Sequence, residues 1–245
     1  MMKKYIKQLL LFSVMVTGFL FSHAQQFSEI IGDITKVKQA MSDSSGISFT
    51  MRYLYSKESK PSQFLDSLGG VYKIRGRCLY SKMSGAEVIQ NDSICVTVYE
   101  MDKTIVAGSA IREKPNDLFI NNWDSAFVAY NVDTAFITVK GNLKTMKFRF
   151  TKNSSLYSCT MTYDKNTYLP ERFSYITRMS KIPETGKPER DGMVITVLFR
   201  GYNKSMVRKD FFSTDKYITV QDGKAVLKPA YQSYKLFQST SRIGK

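Results

Sequence analysis

Hydrophobic positions along the chain follow two periods. Over Gln25–Ser42, Phe27, Ile30, Ile31, Ile34, Val37 and Met41 recur every three or four residues around a polar face, which predicts an amphipathic helix. From Ile47 the period drops to 2, with Ile47, Phe49, Met51, Tyr53 and Tyr55 alternating with Ser48, Thr50, Arg52 and Leu54, so a half-buried strand is expected. After a polar connection at Pro61, the segment Val71–Tyr80 alternates again. It places Tyr72, Ile74, Cys78 and Tyr80 on one face and Lys73, Arg75 and Arg77 on the other. Ala86–Gln90, Ile94–Tyr99 and Thr104–Ala110 continue the pattern, broken by turn residues at Asn91-Asp92 and Met101-Asp102-Lys103. Short turns between alternating runs predict an antiparallel meander.

Pro115-Asn116-Asp117 interrupts the strands, and Leu118–Val128, which holds the single tryptophan, Trp123, reads as a short helix. Strands then resume at Ala135–Val139, Leu143–Thr151, Leu156–Tyr163 and Arg172–Met179, with Ser180–Gly192 as a loop. Met193–Tyr202 is apolar on both faces and is expected in the middle of a sheet. A hairpin around Asp222-Gly223 and a last strand through Tyr234 and Phe237 close the chain. The fold class expected is mainly β (α+β): a strongly curved antiparallel sheet forming an incomplete β-barrel, covered by the N-terminal helix and the short middle helix.

If the strands share one register, Phe49, Met51, Tyr53, Ile94, Val96, Val98, Phe148, Phe150, Met161, Tyr163, Phe173 and Tyr175 make one continuous apolar surface. On the concave side of a curved sheet such a surface is either packed core or a hydrophobic cavity for an apolar ligand. Both readings are open from the residues alone.

The first 24 residues restrict the chemistry. Lys3, Lys4 and Lys7 precede an apolar run from Leu9 to Phe21, and Ser22-His23-Ala24 offers a small-residue cleavage site before Gln25, the layout of a secretory signal peptide. Removing 24 of the 245 residues leaves 221, enough for a single domain over 25–245, with its C-terminal hairpin from about residue 214. It also removes three lysines and no acid, taking the formal charge from +15 to +12. A basic exported protein is matched to anionic partners, a membrane surface or an envelope protein, and no nucleic-acid signature is present. The one histidine, His23, lies in the leader, so the exported chain lacks the commonest general base and metal ligand. Cys78, Cys95 and Cys159 form no CxxC pair, and no phosphate loop, GxSxG elbow or calcium loop occurs. The expectation is a non-enzymatic protein without metal or cofactor.

Two stretches resemble a known family. Gly69-Gly70-Val71-Tyr72 followed by RCLYSKMSGAEVIQNDSICVTVYEMDKTIVAG is similar to the early strands of the LolA-like periplasmic lipoprotein carriers, with Glu87–Ser93 and Val96–Tyr99 as the matching elements. Downstream, YDKNTYLPERFSYIT, ITVLFRGYNKS and KDFFS resemble the family's later elements, on Asp164, Thr167, Leu169, Pro170, Tyr202, Asn203 and Phe211. The family's arginine-proline pair has no counterpart, since Arg75 and Arg77 lack a following proline, and Ser93 stands where glycine is usual. The resemblance implies a periplasmic carrier that holds a lipid or lipoprotein acyl chain on the apolar surface named above. The competing expectation is an interaction module that docks to a cell-envelope assembly through its basic face or its C-terminal hairpin.

Overall fold

The computed structural model describes residues 27–42, 45–111, 131–152, 154, 156–177, 192–240 and 242–243. The expected leader, the helix at 118–128 with Trp123, and the loop at 180–191 lie outside the described residues.

Residues 27–41 form helix α1. The strands are β1 Ile47–Lys57, β2 Lys60–Arg75, β3 Cys78–Met83, β4 Ala86–Gln90, β5 Ile94–Tyr99, β6 Thr104–Ser109 and β7 Val132–Lys140. They continue with β8 Leu143–Phe150, β9 Leu156–Asp164, β10 Pro170–Thr177, β11 Met193–Asn203, β12 Ile218–Gln221, β13 Lys224–Leu227 and β14 Lys235–Gln238. Twelve of them form one sheet in the order β14-β6-β5-β4-β3-β2-β1-β11-β10-β9-β8-β7, and β12 pairs only with β13. Neighbours are antiparallel except β14, which runs parallel to β6. The large sheet is curved and not closed, an incomplete barrel under the N-terminal helix. β11, apolar on both faces, lies between β1 and β10 in its middle.

One run of alternation is two strands. Val71–Tyr80 turns back on itself at Gly76-Arg77, with Arg75 opposite Cys78 and Ile74 opposite Leu79. Gly76 stands at φ 59°, a left-handed conformation that favours glycine. A two-residue turn preserves the period of 2, so the pattern reads through it while the chain reverses. Leu79 and Ser81 therefore join Tyr72 and Ile74 on one face, and Cys78 and Tyr80 share the other with Lys73 and Arg75.

Register sorts the two faces of the sheet. Phe49 lies opposite Tyr72, Tyr72 opposite Ser81, Ser81 opposite Val88, Val88 opposite Thr97, and Thr97 opposite Val106. Directly opposed residues share a face, so these line the α1 side, here the inner face. Ile94, Val96 and Val98 are out of phase with Thr97 and look outward. The expected single surface is thus corrected: nine of its twelve residues face inward and these three do not. Period 2 gives every strand two faces, and the pattern does not say which of them meet across successive hairpins.

Each face has its own cover. On the inner side Ile30, Ile34 and Val37 of α1 pack on Met146, Phe148, Phe150, Cys159, Met161 and Tyr163. Met41, at the end of the helix, reaches the adjoining cluster of Ile47, Phe49, Met51, Tyr72, Ile74 and Phe199. These four helix residues are 2% exposed or less. Burial of such a side chain stabilises by about 1.5–3 kcal/mol, so packing rather than propensity holds α1. On the outer side Ile89, Val96, Val98, Ile105 and Ala107 are covered by Tyr217, Ile218 and Ile243, with Leu227, Tyr231, Tyr234 and Leu236 against them. The β12–β13 turn has φ 51° at Asp222 and 78° at Gly223, the positive pair a tight hairpin requires.

Candidate functional site

Two rows of side chains cross the inner face. One runs Tyr53, Val197, Phe173, Met161, Met146, Ile137; the next runs Tyr55, Ile195, Tyr175, Cys159, Phe148, Ala135. The β9 and β8 members Met161, Met146, Cys159 and Phe148 are buried at 2% exposure or less. On β1, β11 and β10 the cover thins, and Tyr53, Tyr55, Ile195, Phe173 and Tyr175 are half-buried. Leu68, opposite Tyr53, extends this half-buried apolar patch, the trough, onto β2, where Asp66, opposite Tyr55, is exposed. The rings of Phe173 and Tyr175 are 5.7 Å apart and tilted.

The trough walls carry no charge at neutral pH. Desolvation pushes the Tyr53 phenol above its ordinary value, and neighbouring Tyr72 pushes it further. Desolvation raises Tyr175 as well, with Tyr55 and Cys159 beside it. Phenols held neutral on an apolar floor suit an apolar ligand with at most a polar tip.

The helix over the adjoining core is clamped by polar contacts. Tyr163 Oη donates to Asp33 Oδ2 at 2.5 Å, in a buried setting. Lys144 Nζ lies 2.5 Å from Asp33 Oδ2 and 2.6 Å from Glu29 Oε1. Desolvation lowers the Lys144 ammonium, but its bonds to Asp33 and Glu29 outweigh that and leave it raised. Farther along the helix Lys36 Nζ donates to Tyr168 Oη at 3.1 Å. Tyr168 also stacks on Tyr163, with centroids 6.0 Å apart.

The Asp164–Pro170 segment builds the turn that carries Tyr168. Asp164 Oδ1 accepts from the amides of Asn166 and Thr167 at 2.9 and 2.8 Å and from the Thr167 hydroxyl at 3.1 Å. These bonds hold the Asp164 carboxyl below its ordinary value of 3.8. Tyr168 sits at φ 57°, and the Pro170 carbonyl accepts the Tyr202 hydroxyl at 2.6 Å. The motif thus works as architecture: it places one docking point for α1 and anchors Tyr202 against Phe49, 5.5 Å between ring centres.

The outer cover has a parallel device. Glu87, 6% exposed, accepts the Tyr217 hydroxyl at 2.7 Å, and Tyr217 packs on Tyr231 with centroids 4.7 Å apart. Glu87 lies within the strand expected over Ala86–Gln90 and is buried there. Its signal was the alternation of β4, in which Glu87 shares a face with Ile89.

Of the residues expected in the site, Phe49, Met51, Phe148, Phe150, Met161 and Tyr163 are packed core at 2% exposure or less. Tyr53, Phe173 and Tyr175 stay half-buried, and Ile94, Val96 and Val98 belong to the outer core. Missed were Tyr55, Leu68 and Ile195 in the trough and the half-buried inner residues Val88, Thr97 and Val106 on β4–β6. The three cysteines are free, and burial raises each thiol. Among the described residues no group of three His, Cys, Asp or Glu side chains is placed to hold a metal ion, and no helix is long and apolar enough to cross a membrane.

No family model and no curated protein matches the sequence. Solved structures with a similar course of the chain include an uncharacterized conserved protein from Thermus thermophilus, at 8% identity and TM-score 0.47, over 84% of this chain and 97% of that one. They also include a LolA superfamily protein from Nitrosomonas europaea, at 7% identity and TM-score 0.35, over 75% and 97% of the two chains. A DUF1329 family protein from Desulfovibrio piger is similar at 12% identity and TM-score 0.35, over 76% and 96%.

Proposed function

We propose that the protein is an exported, non-enzymatic carrier or binding protein of the periplasm, and that it holds an acyl chain, a lipoprotein or another apolar ligand on the inner face of its sheet. The observation that carries this reading is the trough of Tyr53, Tyr55, Phe173, Tyr175, Ile195 and Leu68. It is a half-buried, uncharged apolar surface continuous with the packed core under α1. The mechanism is burial. Each methylene removed from water contributes about 0.8 kcal/mol, so eight methylenes along the trough supply roughly 6 kcal/mol before the cost of association.

The test is equilibrium titration of the purified protein with a fluorescent fatty acid. Saturable binding is expected, weakened at least tenfold by Tyr55→Ser combined with Tyr175→Ser, two half-buried positions outside the fully buried core. Absence of saturable uptake by the folded protein refutes the proposal.

A further inference from the structure

The outer face holds a second site of opposite chemistry. At one end of the sheet a cleft of about 500 Å³ opens between the β2–β3 turn, the β4–β5 turn and the 3-10 turn Lys209–Phe212. Arg75, Arg77 and Lys209 line it, each from a different position on these turns, against a single carboxylate, Asp92. Arg75 is fixed in place, because its Nη1 donates to the Val207 carbonyl at 3.0 Å and leaves the rest of the guanidinium for another acceptor. Asn91 Oδ1 is taken by the amides of Ser93 and Ile94, so its amide nitrogen is that side chain's remaining polar group. Cys78 and the buried Phe212 also line the cleft. After desolvation, which raises it, the Cys78 thiol feels Asp92, Arg75, Lys209 and Arg77, so all four charges bear on one spot.

We infer that this cleft binds a phosphate group, free or as the headgroup of a phospholipid. Three cations converging from two turns match an oxyanion with several terminal oxygens better than a carboxylate, which one arginine fork satisfies. The cleft leaves room beyond the phosphate for the group esterified to it. The site is on the face opposite the apolar trough and does not depend on a ligand there.

Cys78 provides the readout. The purified protein is treated with N-ethylmaleimide, and alkylation of each cysteine is followed by peptide mass spectrometry at constant ionic strength. Inorganic phosphate and glycerol 3-phosphate are expected to protect Cys78 saturably while leaving Cys95 and Cys159 unchanged, and acetate is expected not to protect it. Arg77→Gln with Lys209→Gln replaces two exposed side chains and should weaken protection about 25-fold, fivefold for each cation near an anionic group, whereas Asp92→Asn should strengthen it about fivefold. Protection by the soluble phosphates alone assigns a free ligand. Added protection by phosphatidylglycerol vesicles, but not by phosphatidylcholine vesicles, assigns a headgroup. Protection no greater than with sodium chloride, equal protection by acetate, or an unchanged response in the double variant overturns the inference.

Discussion

The Tyr163–Asp33 hydrogen bond holds α1 on the sheet, and a double-mutant cycle measures how strongly. Tyr163 is fully buried and Asp33 is 4% exposed, with 2.5 Å between the oxygens. Tyr163→Phe deletes a hydrogen bond to a charged acceptor, a change of about 1.5–3 kcal/mol, but Asp33 keeps Lys144 and is not left bare. The expected loss is therefore about 2 kcal/mol, or roughly 4–8 °C in melting temperature for a domain of this size. Asp33→Ala costs a similar amount for a different reason: it orphans the buried phenol, while Lys144 falls back on Glu29. Because both single changes break the same bond, the double variant should cost less than their sum by about 1.5 kcal/mol. Urea denaturation of the four proteins gives the coupling. Amide exchange over 27–41 should accelerate in each variant while exchange in β2 and β3 stays as it was. A coupling below about 0.3 kcal/mol would refute the clamp, since independent sites add to within that margin.

Other expectations are as specific. A methyl group at Gly70 would meet the Lys82 carbonyl at 2.7 Å and the Met83 Cβ at 2.8 Å, so Gly70→Ala should destabilise by about 1–3 kcal/mol in thermal denaturation. Phe148→Ala empties a site that is 2% exposed and should cost about 3–5 kcal/mol, whereas Tyr55→Ser at the trough should cost under about 1.5 kcal/mol; chemical denaturation separates core from site. The carboxyl of Asp164 is held low by its turn, so its contribution to stability is present above its ordinary value of 3.8 and is lost as pH falls through the lower folded value. Asp164→Asn should flatten the acid limb of the stability–pH curve below about pH 4, and a limb identical to the parent's would contradict the assignment. Glu87→Gln keeps an acceptor for Tyr217 where Glu87→Leu does not, so only the leucine variant should expose the β12–β13 hairpin to limited proteolysis.

Much of this fold is written in the alternation. The limits of β4, β5, β8 and β9 coincide with the alternating runs to within a residue, because each is bounded by residues with turn chemistry, Asn91-Asp92 or Gly141-Asn142 among them. The placement of α1 was equally legible, since Ile30, Ile34, Val37 and Met41 allow only one buried stripe. The assignment of faces was not. A two-residue turn at Gly76-Arg77 carries the period through unbroken, and the pairing that sends Val96 outward while Phe49 looks inward is set by a chain of strand contacts running from β1 across to β5. The cover over the outer face was hidden for the same reason. Tyr217 reads as one aromatic residue among many until Glu87 is placed beneath its hydroxyl. In the candidate site, the aromatic character of β1 and β10 was legible, but which of those rings are filled core and which stay half-covered depends on how far α1 reaches.

The measurement that bears most directly on an apolar ligand at the inner face is photo-crosslinking with a diazirine-bearing fatty acid, followed by peptide mapping. The account predicts label on the β1 and β10 peptides that carry Tyr53, Tyr55, Phe173 and Tyr175, competed away by unlabelled fatty acid. Label confined to the outer face around Tyr217 and Tyr231, or label that excess fatty acid does not displace, would contradict it.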